Sequence, residues 1–246
     1  RNGIEYSFLA GESVFENRDY RRVRPGYRQL KARGWVPTPE EARLRPTTVY
    51  AVTKRDQEEM ALAVGAAYDV PTVALRLFNV YGPRQSLANP YTGVGANFCS
   101  RLLGGEPPLV FEDGGQTRDF THVSDVAEAF VRALERPAVW GLALNVGAGG
   151  RCTLLELGQL LAAELGVAWA PRVTGAFRQG DIRHCTADTR ALARALGYHP
   201  RIALEDGVRD LVAWVRADAG VSTRGRDPGG AAARALAELA ERGLVQ

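Results

Sequence analysis

Tyr50-Ala51-Val52-Thr53-Lys54 places a phenol and an ammonium four residues apart. On a helix, residues i and i+4 share a face, so the Tyr50 hydroxyl and the Lys54 amine can converge on one ligand. A nearby cation favours phenolate over phenol. It draws a tyrosine pKa down from its ordinary value near 10, toward the range of a general base that takes a proton from an alcohol. The chain holds only two lysines, Lys31 and Lys54, against 29 arginines, which sets this one apart. The spacing alone also fits, and more often marks, an ordinary amphipathic helix with one aromatic residue and one exposed lysine.

The elements that must hold this pair are legible in the flanking residues. Thr47 or Thr48 can cap a helix after Pro46, and that helix runs through Tyr50, Lys54 and Met60 to about Tyr68. Pro71 opens an apolar run, Thr72 to Phe78, with the length and β-branching of a buried parallel strand. Ile4 to Ala10 reads as an earlier strand, so the order is strand, helix, strand, as in half of a doubly wound sheet. Between them, about Glu16 to Pro46 is arginine-rich, proline-punctuated and aperiodic, and reads as a long loop or insertion. Downstream the expected elements are a helix over 94–103, a strand over 117–122 and a helix from Asp125 to Glu135 capped by Ser124. A strand over 142–146 follows, then a capping box Thr153-x-x-Glu156 opening a helix that ends near Gly166. A strand near 184–187 and helices over 189–196 and 204–215 complete the pattern. Beyond Ala217 lies a tail rich in glycine, alanine and arginine, expected to be loosely attached, with one helix from Ala231 to Arg242.

Composition narrows the class. With 246 residues, 46% of them hydrophobic and 24% charged, the chain can bury a substantial core. A formal charge of +3 is too small to imply nucleic acid as a partner, and Arg18, Arg21, Arg22, Arg24 and Arg28 read as a solvated basic loop. Cys99, Cys152 and Cys185 are odd in number, far apart and without metal-ligand spacing, which suits a reducing compartment. No apolar run approaches about 18 residues and no signal peptide opens the chain, so a cytoplasmic location without membrane contact is expected.

Four further stretches extend the tyrosine and lysine pair into a set: Phe78-Asn79-Val80-Tyr81-Gly82-Pro83-Arg84-Gln85 at the strand's carboxyl end; Arg118-Asp119-Phe120-Thr121-His122-Val123-Ser124-Asp125-Val126; Asn145-Val146-Gly147-Ala148-Gly149; and Arg178-Gln179-Gly180-Asp181-Ile182-Arg183-His184. In this order they resemble the extended short-chain dehydrogenase/reductase family, in its NAD-dependent nucleotide-sugar epimerase and dehydratase branch, over nearly all of residues 4–216. The resemblance implies an α/β fold. Residues 1–92 would be a partial Rossmann-like doubly wound parallel sheet and 93–216 mainly a smaller nucleotide-sugar-binding region, with 217–246 as the tail. It makes Tyr50 the base, and gives Lys54 the nicotinamide ribose of NAD, with Phe78 beside the cofactor. Asn79 falls to the sugar diphosphate, Arg118 and Arg178 to its phosphates, and Asp181 to the nucleotide's ribose. Guanidinium groups suit phosphate because their donors are fixed in a plane. By the same resemblance Gly147-Ala148-Gly149-Gly150 is a substrate-side turn rather than a dinucleotide loop, and His122 and His184 are packed or hydrogen-bonded neighbours.

Two departures from the family bear on activity. The family's amino-terminal strands and their Gly-x-x-Gly-x-x-Gly turn, which cradle the dinucleotide pyrophosphate, find no counterpart before Tyr50. In Leu9-Ala10-Gly11-Glu12-Ser13-Val14-Phe15, Gly11 stands where the family carries a catalytic serine or threonine, unless Ser13 substitutes through a shifted loop. Family dehydratases follow that residue with Asp-Glu, an acid and base pair that eliminates water; Glu12-Ser13 keeps one carboxylate, which favours epimerisation at C4 over 4,6-dehydration. The alternatives are a non-catalytic nucleotide-sugar-binding remnant, or half of a split enzyme whose glycine-rich half is another chain. The family's dimer uses the Tyr50 helix together with a helix from the missing region. A native-like homodimer is therefore not expected, and a complementing partner is the other possibility.

Overall fold

The computed structural model describes residues 37–85, 93–176 and 182–222. The expected strand at Ile4–Ala10, Gly11, Glu12 and Ser13, most of the arginine-rich segment, Arg178, Asp181 and the Ala231–Arg242 helix lie outside them.

The first helix, α1 (Val49–Tyr68), opens on Thr48, whose Oγ1 accepts the Ala51 N–H at 3.1 Å. It ends on Asp69 in the left-handed conformation. Gly65 lets the chain close back tightly, since a Cβ there would sit 2.4 Å from Thr72 Oγ1. The next run forms β1 (Ala74–Leu77) and β2 (Asn79–Tyr81), split at Phe78. Later elements are α2 (Val94–Leu103), β3 (Leu109–Val110), β4 (Thr117–Arg118), β5 (Phe120–His122), α3 (Val123–Leu134) and β6 (Ala143–Val146). Then come β7 (Cys152–Thr153), α4 (Leu154–Leu165), β8 (Arg172–Val173), α5 (Arg190–Leu196) and α6 (Leu204–Ser222). The capping box is present in full: Thr153 Oγ1 accepts the Glu156 N–H while Glu156 accepts the Thr153 N–H, and Gly166 closes α4 at φ 71°.

Strand pairing is mostly parallel, as in α/β folds. β1 pairs with β6 in the register Ala74 to Ala143 and Leu77 to Val146, and β2 pairs with β5, Asn79 opposite Phe120. β3 pairs parallel with β8, and β4 antiparallel with β7. Helix α3, helix α5 and the β1 and β6 pair enclose one apolar cluster that includes Val126, Leu144, Val146, Leu192 and Leu196. A second gathers Phe98, Leu157, Leu161, Leu211 and Val215 from α2, α4 and α6. The outward face of α1 leaves Val49, Val52, Met60 and Val64 exposed. None of the described helices is long and apolar enough to cross a membrane.

Three expectations need correction. Helix α3 starts at Val123, and its cap is His122 rather than Ser124: the imidazole Nδ1 accepts the Ser124 N–H at 3.3 Å because β5 holds the ring directly over the first turn. The described end of the expected long loop is a loop, and it is packed. Thr38 is 2% exposed and bridges Ala187 in parallel, donating to Thr186 and accepting from Asp188. Glu40 Oε1 accepts the Asn145 N–H at 2.9 Å, so this stretch lies along the carboxyl end of the β1 and β6 pair. Finally, α6 runs on past Val215 to Ser222, carrying Gly220 within it. The expected strand over 184–187 is two single bridges, His184 to Thr117 and Ala187 to Thr38.

Candidate functional site

Lys54 Nζ lies 5.7 Å from the centroid of the Tyr50 ring, within cation–π range, and donates to Gln57 Oε1 at 3.1 Å. Tyr50 is 41% exposed and lies outside the apolar core. What aims the pair is one turn further on. Glu58 continues the four-residue spacing of Tyr50 and Lys54, and Arg76 of β1 grips it twice, Nη2 to Oε1 at 2.6 Å and Nε to Oε2 at 2.8 Å. Arg76 Nη1 also donates to the Glu40 carbonyl at 2.8 Å. Both ions are nearly excluded from water. This two-point contact fixes the rotation of α1 about its axis and thereby the direction of the tyrosine and lysine stripe. Two residues after Arg76 the strand delivers Phe78 and Asn79.

Phe78 donates its N–H to the Val146 carbonyl, and its ring, 5% exposed, packs with Cys185, Ala187, Leu44 and Ile182. Asn79 is half-buried, and its N–H donates to the Asp119 carbonyl at 3.0 Å. That bond sets Asn79 beside the strand that carries Arg118. Arg118 Nη1 reaches the carbonyls of Thr117 and Arg183 at 3.0 and 3.1 Å, so its guanidinium is steered by backbone. Arg183 is itself anchored by Glu112 and by both oxygens of Asp113. The structure therefore sets Asn79 against Asp119, the residue after Arg118, and ties the helix of Tyr50 and Lys54 through Glu58 to Arg76, two residues before Phe78. Of the expected site residues only Arg178 and Asp181 lie outside the described chain.

His184 lies near the guanidinium groups of Arg183, Arg118 and Arg151, with Asp113 opposing them. His184 Nδ1 sits 2.8 Å from Thr117 Oγ1, and its pKa is pushed down to about 3, first by burial and then by Arg183, Arg118 and Arg151. His184 is a hydrogen-bonded, neutral neighbour at physiological pH. The sign of its contribution follows: with its folded pKa below the ordinary value of 6.5, the stability it contributes is full above about pH 6.5 and is lost as pH falls toward 3. His184→Gln is expected to flatten the fall in unfolding free energy between those limits, measured by urea titrations at stepped pH.

Two residues escaped the sequence. One is Arg76, whose partner Glu58 is 18 positions away. The other is Asp119, fully buried, with its pKa pushed up to about 6 by burial against the opposing pull of the Ala187, Ala148 and Gly149 amides. A carboxylate inside a buried strand demands donors, and the Gly147 turn supplies them; that demand was the available signal. The amides of this turn serve the protein's own carboxylate, which agrees with its reading as something other than a dinucleotide loop.

Comparison with known proteins identifies the lineage. A profile of the NAD dependent epimerase/dehydratase family matches residues 31–147, a span that contains Tyr50, Lys54, Phe78, Asn79, Arg118 and Asp119. The dTDP-L-rhamnose 4-epimerase of Burkholderia thailandensis is 39% identical over 217 residues, covering 83% of this chain and 59% of that protein. The chain belongs to the NAD-dependent epimerase/dehydratase family. The UDP-glucose 4-epimerase of Mycolicibacterium smegmatis is 35% identical over 180 residues, 73% of this chain and 56% of its own. Among solved structures, the UDP-glucose 4-epimerase of Thermotoga maritima with UDP-glucose superposes with a TM-score of 0.69 at 33% identity, covering 75% of this chain and 59% of that one. The α/β fold with parallel strands is thus shared with nucleotide-sugar epimerases. The chain spans a little over half the length of these relatives.

Proposed function

We propose that this chain carries the catalytic tyrosine helix and the nucleotide-sugar groove of a C4 epimerase acting on a dTDP- or UDP-hexose. The observation that carries the reading is an exposed Tyr50 with the Lys54 ammonium beside its ring, on a helix that Arg76 of β1 grips through Glu58, while the same run of chain carries Asn79, bonded to Asp119 next to Arg118. Arg118 and Arg178 take the diphosphate, Asn79 contacts the sugar diphosphate, and Asp181 takes the nucleotide's ribose. Tyr50 removes the C4 hydroxyl proton, with Lys54 holding the phenolate form. The 4-keto sugar turns over in the groove, and Tyr50 returns the proton to the opposite epimer.

NAD is the family's cofactor, and when bound it supplies reversible hydride acceptance at C4. Tyr50 and Lys54 fit its nicotinamide ribose, since both reach outward from the first turns of α1; Phe78, whose ring is enclosed, serves it by backbone. The single carboxylate of Glu12-Ser13 favours epimerisation over 4,6-dehydration. In the same reading β1 and β6 belong to the carboxyl-terminal part of a doubly wound sheet, with a smaller α/β substrate-binding region after about residue 93. Three free, buried cysteines support a cytoplasmic setting.

Titration calorimetry with UDP-glucose, dTDP-glucose and NAD tests the proposal. Nucleotide-sugar binding is expected, and Arg118→Ala is expected to weaken it by roughly tenfold to a hundredfold, the worth of a charge-assisted phosphate contact. Absence of nucleotide-sugar binding overturns the reading. A second reading rests on Gly11, which leaves the reacting oxygen without the family's hydroxyl partner: a nucleotide-sugar-binding chain without turnover, alone or completed by a glycine-rich partner. Nucleotide-sugar binding with no NAD binding favours that second reading.

A further inference from the structure

Asp119 is the point at which four separate stretches of chain meet. Its Oδ1 accepts the Ala148 N–H at 2.8 Å, and its Oδ2 accepts the Gly149 and Ala187 N–H groups at 3.0 and 2.9 Å. Its backbone carbonyl accepts the Asn79 N–H at 3.0 Å. Thr121 Oγ1, two residues on, gives Ala148 a second acceptor at 3.0 Å. The turn after β6 is pressed so close that a Cβ on Gly147 would lie 2.7 Å from Asp119 Oδ2. Ala187 is three residues beyond His184, which itself bonds Thr117 beside Arg118. The buried side chain therefore ties the glycine turn and the segment after Asp181 to the junction between β4 and β5, where Arg118 precedes it and its own backbone carbonyl holds Asn79.

We infer that Asp119 is a positioning residue for the nucleotide-sugar groove, holding the glycine turn and the segment after Asp181 against the strand junction that carries Arg118 and Asn79. The inference rests on the nucleotide-sugar reading above. Asp119 does not touch substrate, being 0% exposed; it acts by clamping the walls of the groove. A comparison within the same molecule separates positioning from plain stability. Asp125 is an equally committed buried carboxylate, accepting Tyr198 O–H at 2.7 Å and the Arg201 and Ile202 N–H groups at 3.0 Å each. None of its partners belongs to the groove.

The test is UDP and dTDP binding by calorimetry to the full chain and to Asp119→Asn, Thr121→Val and Asp125→Asn, with thermal unfolding of each. Asp119→Asn keeps the shape and one acceptor oxygen, and is expected to raise the UDP Kd about tenfold, as small misplacements of binding groups do. Thr121→Val is expected to move it in the same direction by about threefold, because its bonds to the Ala148 N–H and to the Asp119 carboxylate are lost while that carboxylate keeps its three backbone donors. Asp125→Asn is expected to lower the unfolding temperature while leaving Kd within about twofold, since it shares no partner with the groove. If Asp119→Asn loses its cooperative transition, Thr121→Val decides on its own. Binding by the unsubstituted chain with no weakening in Asp119→Asn, or an equal weakening in Asp125→Asn, overturns the inference alone. Failure of the unsubstituted chain to bind either nucleotide overturns the nucleotide-sugar reading and this inference with it.

Discussion

Tyr50→Phe is expected, on the proposed function, to lower epimerase turnover by about a hundredfold to ten-thousandfold, the range that a positioned acid or base contributes. Nucleotide-sugar affinity changes by less than about threefold, because the ring and its packing remain and only the proton-carrying oxygen is lost. The split between kcat and Kd is the diagnostic. An interaction made only in the transition state lowers kcat, whereas a binding contact raises KM. Lys54→Met gives a companion result. Removing the ammonium 5.7 Å from the ring is expected to lower turnover as well. The measurements are initial rates with UDP-glucose or dTDP-glucose and NAD across pH, set beside calorimetric Kd. Turnover by Tyr50→Phe within tenfold of the parent removes Tyr50 from the role of base.

Glu58→Ala is the largest expected loss of stability. It leaves the Arg76 guanidinium, 6% exposed, without its two carboxylate bonds. Removing one partner of a buried pair costs about 3–5 kcal/mol, because the remaining charge stays desolvated and uncompensated. For a chain of this size that is a fall of about 10 °C or more in Tm. Replacing both residues, as Glu58→Leu with Arg76→Met, restores most of the loss, since apolar side chains of similar volume fill the site without a charge to desolvate. Activity separates the two roles of the pair. The double variant recovers Tm but not turnover, because packing alone does not fix the rotation of α1 as the two-point grip does. Recovery of both Tm and turnover would show that the pair serves stability only. Calorimetric unfolding and initial rates on the same preparations check each half.

Much of this protein was legible locally. Helix ends are written in residues that satisfy their own neighbours' amides and carbonyls: Thr48 on Ala51, Thr153 and Glu156 on each other, Gly166 in the left-handed turn. These contacts span three or four positions, so α1 and α4 were placed from composition alone. The strands β1 and β6 were legible because a buried parallel strand is a continuous apolar run. The pairs of β3 with β8 and of β4 with β7 were not, since two residues carry no periodicity and their partners lie far along the chain. The expected Ser124 cap failed for a related reason. A local rule ranks serine above histidine, while the fold had already placed the His122 ring over the helix start.

The candidate site divides along the same line. Tyr50, Lys54, Asn79 and Arg118 could be nominated from residue type and order, because each is chemically distinctive and sits in a short motif. Arg76 with Glu58, and Asp119 with Ala148, Gly149 and Ala187, are contacts between residues 18 to 68 positions apart. No short window contains both members. The sequence by itself determined the lineage, the helices and the reactive groups, since these depend on side-chain chemistry and bonds within a few residues. The tertiary structure alone decided how those groups are aimed. A buried charge must find its partner wherever the fold brings one, and here Arg76 finds Glu58 on the Tyr50 helix while Asp119 finds the amides of Ala148, Gly149 and Ala187.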